Sequence, residues 1–167
     1  EIHWEKDINH ALELAKKESK TVLLDFFNPG WTGCQQIDAV TYPDPAVTAF
    51  ISETLIPLRV PSDAKPLSED FNVKWTPTLI TLGIDGKEHH RTVGFLKPKE
   101  LIAHLLLVEG KYFFDNDKFP EALKTLEKIQ ADYKNTDAVQ EAVYLRGVSQ
   151  YKSTGDPLHL KAAYEIL

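Results

Sequence analysis

Val22-Leu23-Leu24-Asp25-Phe26-Phe27-Asn28-Pro29-Gly30-Trp31-Thr32-Gly33-Cys34-Gln35-Gln36 decides the fold. It opens as a β-branched and aromatic run, breaks at Pro29-Gly30 and resumes with residues suited to a helix. A strand, a tight turn and a helix N-terminus is the simplest arrangement that satisfies all three parts. The chain's single cysteine falls in the first turn of that helix. Free N–H groups and the helix dipole there favour a thiolate.

Working outward, Asp7 is a candidate N-cap, followed by Ile8, Ala11, Leu12 and Ala15 at helical spacing. The helix that carries Cys34 is expected from about Gly33 to Thr41, where Tyr42-Pro43-Asp44-Pro45 interrupts it. Asp44 can cap a new helix with Pro45 at its first position. Leu55 to Val60 reads as a second strand, with Pro57 pointing to an early position in the strand or to an edge. A short helix is expected from Pro66 to Phe71, and Thr78 to Leu82 reads as a third strand. Asp85-Gly86 signals a hairpin turn into a strand at Arg91–Phe95, and Lys97 to Glu100 opens a helix carrying Leu101, Ile102, Leu105 and Leu106.

This order, with its motifs, resembles the thioredoxin superfamily. The family's active-site segment runs from an apolar strand with a buried acid to a Cys-x-x-Cys whose second cysteine follows the acid by nine residues. Asp25 and Cys34 keep that separation. Val73-Lys74-Trp75-Thr76-Pro77-Thr78 is similar to the loop whose proline is cis in the family. Cys34-Gln35-Gln36-Ile37-Asp38 and Thr41-Tyr42-Pro43-Asp44-Pro45-Ala46-Val47 are similar to a branch of thioredoxin-related proteins. That branch's pattern independently places Cys34 on the second cysteine. The resemblance implies an α/β thioredoxin-like fold over residues 1–108, a central mixed sheet with helices on both faces. It also implies that Trp31 occupies the attacking cysteine's position, so the motif reads Trp-Thr-Gly-Cys.

One sulfur cannot make a pair, so dithiol exchange within this chain is chemically closed. Cys34 is then either a small buried hydrophobe or a reactive monothiol working with glutathione or a partner's thiol. Asp25, the family's proton-transfer acid, is either functional here or a leftover, and burial would raise its pKa. Trp31, Thr32, Gly33, Trp75, Thr76 and Pro77 would form a rim that, in the family, binds an extended peptide. Trp31 is alternatively a plug for space left by the missing chemistry. The reading carried forward is a redox-inactive protein- or peptide-binding module, with the monothiol oxidoreductase as alternative.

After about residue 108 the pattern becomes helical throughout. Phe119 to Tyr133, Ala138 to Tyr151 and Ala162-Ala163-Tyr164 mark three helices. Small residues at their contacts and the paired Gly110 and Gly147 segments, 37 residues apart, resemble tetratricopeptide repeats, whose usual period is about 34. Residues 109–167 are therefore expected to be a helical extension that docks on the first domain or continues further.

Composition narrows the partners. The net charge is −6 with scattered Lys and Arg, which argues against a nucleic-acid face. No apolar run reaches the ~18–20 residues of a membrane span. One cysteine with scattered histidines makes poor metal-site material, the His89-His90 pair has no carboxylate or cysteine partner spaced for a site, and no cofactor is implied. The lack of an intrachain disulfide suits the cytoplasm and is compatible with the periplasm. The chain starts at Glu1 without Met and stops inside an apparent helix, as expected of a trimmed chain, and this is compatible with a removed leader.

Overall fold

In the computed structural model, which describes residues 1–166, four strands form one mixed sheet in the order β2-β1-β3-β4. Packing divides the chain into two compact units, Glu1–Pro98 and Lys99–Leu167.

The first unit opens with α1, Ile8–Glu18, whose N-cap Asp7 accepts a hydrogen bond from the Asn9 amide. The central strand β1, Thr21–Phe27, follows. Next come α2, Thr32–Gln36, and a π-helical turn, Ile37–Thr41. Then α3, Pro45–Thr54, is capped by Asp44 through the amides of Ala46 and Val47. It leads into β2, Leu55–Pro61, and the single turn α4, Leu67–Asp70. The antiparallel strands β3, Thr78–Leu82, and β4, Glu88–Val93, complete the sheet.

β1 is buried along Val22–Phe26 because it lies between two strands and is covered on both faces. Alternate side chains of a strand point to opposite faces. Val22, Leu24 and Phe26 therefore share one core with Ala11 and Ala15 of α1, Ile56, Leu58 and Val60 of β2, and Ile80 and Leu82 of β3. Fully burying each large aliphatic or aromatic side chain contributes roughly 1.5–3 kcal/mol, and this layer holds eight of them. Asp25 points the other way, into the opposite layer. This frame is the mixed sheet between helices that the sequence predicts, and Pro57 does lie on an edge strand.

Three boundaries differ from the sequence reading. The helix expected from Gly33 to Thr41 changes pitch at Ile37, where the Tyr42 amide bonds the Ile37 carbonyl across one extra residue. That extra residue turns Thr41 toward the Leu96 carbonyl and Tyr42 toward Asp25. The last strand starts at Glu88, three residues early, because the turn closes tightly: Gly86 bonds Gly83, and Asp85 Oδ1 accepts from the Lys87 amide. It ends at Val93 because Gly94 has φ +98°.

The second unit contains α5, Pro98–Asp115, α6, Phe119–Asp132, α7, Val139–Thr154, a 3₁₀ turn at Pro157–His159, and α8, Leu160–Ile166. α5 runs without a break through residue 108, where the sequence alone changes character. Gly110 does not interrupt it. A Cβ there would lie 2.8 Å from Leu126 Cδ2, so the glycine serves close packing.

Candidate functional site

β1 ends at Phe27 and the chain turns through Asn28-Pro29-Gly30, with the Asn28 side chain accepting from the Gly30 amide at 2.9 Å. This Asx-type bond closes the turn and delivers Trp31 to the N-cap of α2. Cys34, one turn into the helix, is 1% exposed, and its Sγ accepts from the Asn28 amide at 3.4 Å. Trp31 stands at the surface, 39% exposed, with Thr32 exposed beside it. The helix thus turns its sulfur under the loop and its indole outward.

The loop before β3 meets this helix end. The Thr76–Pro77 peptide bond is cis. Thr76 and Pro77 are buried while Trp75 is 62% exposed. The two indoles, Trp31 and Trp75, meet edge to face with ring centroids 5.8 Å apart. Beneath them Gly33 passes so close to the loop that a Cβ would lie 2.9 Å from Pro77 Cδ. Thr76 Oγ1 is buried with no hydrogen-bond partner. Trp31, Gly33, Trp75, Thr76 and Pro77 thus converge on one rim, with Thr32 at its edge.

Asp25 is fully buried, and its polar contacts run to a group that sequence reasoning missed. Tyr42 Oη donates to Asp25 Oδ2 at 2.7 Å. Arg59 Nε lies 3.2 Å from the same oxygen, an ion pair whose N–H is not aligned for a hydrogen bond. Arg59 Nη2 donates to Asp38 Oδ1 at 2.6 Å. The guanidinium is also stacked among Phe27, Tyr42 and Trp4, 4.5, 5.4 and 5.5 Å from their ring centroids. An open cavity of about 520 Å³ reaches this cluster past Trp4, Asp38, Tyr42, Thr48 and Arg59.

Burial pushes the Asp25 carboxyl up to about 6, against the pull of Arg59 and the Tyr42 hydroxyl. Its Oδ1 has no hydrogen-bond partner, so the desolvation is only half compensated. Burial, with the Asp25 charge, likewise pushes the Tyr42 phenol well above its usual range. Burial also works against the Arg59 charge, but Asp25 and Asp38 outweigh it and hold the guanidinium above its usual value. The available signal for this cluster was Arg59 itself, a charge within the apolar run Leu55–Val60. Buried charges come paired, and Asp25 is its neighbour in register on β1.

The strand order, the helix bearing the lone sulfur and the cis-proline loop together define a thioredoxin-like protein. Residues 8–109 match the thioredoxin-like domain family, and the chain belongs to it. Over 105 residues the chain is 30% identical to the thiol:disulfide interchange protein DsbD of Shigella boydii, a match covering 59% of this chain and 18% of that protein. The chain therefore spans about a fifth of the length of such curated relatives. Among solved structures, a Thermus thermophilus thioredoxin superposes with TM-score 0.56 at 24% identity, covering 62% of this chain and 84% of that one. The C-terminal domain of Neisseria meningitidis DsbD, in its oxidised form, gives 0.50 at 23%, covering 60% and 94%. These structural likenesses show the fold.

Proposed function

We propose that this thioredoxin-like chain, related to thiol-disulfide oxidoreductases, acts as a redox-inactive module that holds an extended peptide or protein segment. The observation that carries this reading is the division of labour at the start of α2: the indole of Trp31 is exposed and paired with Trp75, while the sole sulfur is buried. Two exposed tryptophans, one at the start of α2 and one in the loop before β3, meet to supply apolar contact area of the composition typical of binding hot spots. The buried, unpartnered Thr76 hydroxyl adds a polar group that a bound backbone could satisfy. Thr32 and Pro77 complete the rim in this reading.

A panel of extended peptides, screened by tryptophan fluorescence, tests it. Binding should fall at least about tenfold in both Trp31→Ala and Trp75→Ala, as for a hot-spot aromatic. Affinity unchanged in both variants would end the proposal. Reduction of insulin disulfides by the chain alone should show no turnover.

The names of the interchange-protein relatives favour a second reading, in which Cys34 works singly. Its thiolate would attack a partner disulfide, releasing one thiolate. Glutathione or a second partner thiol would then attack the mixed disulfide and regenerate Cys34. Asp25 would handle the proton in that reading. Thiol-reagent labelling separates the two: rapid reaction of the native protein supports the monothiol, and reaction only on unfolding excludes it.

A further inference from the structure

The cavity beside Arg59 has no part in the peptide rim, since none of Trp31, Thr32, Gly33, Trp75, Thr76 and Pro77 lines it. Its walls come from separate stretches of the first unit. The segment before α1 runs along the edge of β2, the Glu5 amide donating to the Pro57 carbonyl at 2.8 Å and the Glu5 carbonyl accepting from the Arg59 amide at 2.9 Å. Ile2 is buried there, and the Trp4 indole stands edge to face with Tyr42, ring centroids 4.9 Å apart. Asp38 of the π-helical turn and Thr48 of α3 add the polar lining. The volume of about 520 Å³ lies within the roughly 300–1,000 Å³ of small-molecule sites.

The hydrogen-bonding groups of this lining are unevenly spent. A guanidinium carries five N–H donors and no acceptor. Among the described residues that of Arg59 makes one hydrogen bond, from Nη2 to Asp38 Oδ1, and its Nε is buried without a partner. Arg59 therefore has donors left for an acceptor. A carboxylate or phosphate is a poor one here. Asp25 and Asp38 already flank the guanidinium, Glu1 adds a further carboxylate to the lining, and like charges at close range repel. A second cation would meet Arg59 donor to donor. What remains is an uncharged carbonyl. The other polar groups want donors: Thr48 Oγ1 spends its hydrogen on the Tyr42 carbonyl at 2.8 Å, and Asp38 has one oxygen outside its bond to Arg59.

We propose that this cavity binds a neutral aromatic primary amide. The carbonyl accepts from Arg59, the NH₂ group donates to Asp38 and Thr48, and the ring lies against Trp4 and Tyr42. An amide carries one acceptor and two N–H donors on a single plane, which is the complement of this lining.

Three probes of one shape and different charge test it: benzamide, benzoate and benzamidine, titrated at neutral pH into the ¹⁵N-labelled 167-residue chain. The Trp4 indole N–H signal reports the cavity, and those of Trp31 and Trp75 report the rim. Benzamide should move the Trp4 signal saturably, with a dissociation constant in the millimolar range, as about 4 kcal/mol of binding gives. Benzoate and benzamidine should bind at least about tenfold more weakly, since each leaves a charged group without its partner. Asp38→Ala, at an exposed position, should weaken benzamide by about tenfold as well. A Trp4 signal that benzamide leaves unmoved overturns the proposal, as does benzoate or benzamidine binding as tightly as benzamide. Shifts confined to Trp31 and Trp75 overturn it too, and would leave the rim reading standing.

Discussion

Arg59 faces Asp25 across the parallel β1–β2 pair, its Nε 3.2 Å from Asp25 Oδ2, with the Tyr42 hydroxyl 2.7 Å from the same oxygen. One carboxylate oxygen thus receives both partners and the other receives none. The acid is held between two tendencies, burial favouring its neutral form and Arg59 its charged form, and burial prevails.

That balance has a sign in pH. Asp25 titrates at about 6 in the folded chain against 3.8 ordinarily, so the folded state keeps the proton longer than the unfolded state. Its contribution to stability is complete below pH 4 and is lost as pH rises through 6. The loss is on the order of 3 kcal/mol. Asp25→Asn removes this dependence. Urea midpoints of both proteins from pH 4 to 7.5 should diverge across that window in the variant's favour. Parallel curves would contradict the assignment.

Removing either partner should raise the acid further. Arg59→Met should push the Asp25 carboxyl above about 6 by more than Tyr42→Phe does, because the guanidinium is the stronger of the two influences. At pH 8 Arg59→Met also leaves a buried charge unpaired and should cost about 3 kcal/mol or more. Carboxyl ¹³C shifts followed through titration measure the first effect, and urea unfolding the second.

Trp31→Cys restores the second sulfur, three residues before Cys34 on the N-cap of α2. Under mild oxidant the introduced thiol and Cys34 should form an internal disulfide, seen as a loss of two hydrogens by mass. Insulin reduction should appear with it. A variant that stays fully reduced would show that position 31 is not the attacking position.

Gly33→Ala tests the contact between α2 and the Pro77 loop. Alanine gains up to about 1 kcal/mol of helix propensity over glycine. Against this, its Cβ would meet Pro77 Cδ at 2.9 Å, and overpacking costs typically ~1–3 kcal/mol. Clash should win. A melting temperature lowered by several degrees is expected, and an unchanged or raised one would mean the loop yields freely.

The helical unit offers a paired comparison. In Gly110→Ala the new methyl meets the end of the Leu126 side chain, which can rotate away. In Gly147→Ala it meets the His159 backbone carbonyl at 2.7 Å, which cannot. Thermal melts should show the larger loss at Gly147, and the reverse order would refute this packing of the two glycines.

Much of the rim was legible in the chain itself because its parts are local. The β-branched run, the Pro29-Gly30 break and the three-residue step from Trp31 to Cys34 are set by neighbours in sequence. Periodicity placed the strands and helices for the same reason. The change of pitch at Ile37 was not legible, because a π turn has no strong residue signature and in this chain brings Tyr42 to a distant acid.

The amino-acid sequence by itself determined that this chain owns one sulfur, that a tryptophan stands three residues before it, and that strands and helices follow in thioredoxin order. Those are matters of composition and short-range pattern. Only the tertiary structure decided that the sulfur is covered, that Trp31 meets Trp75, and that Asp25 shares its burial with Arg59 and Tyr42. Burial and pairing depend on strand register between segments some thirty residues apart, and that register is settled by the whole core packing at once.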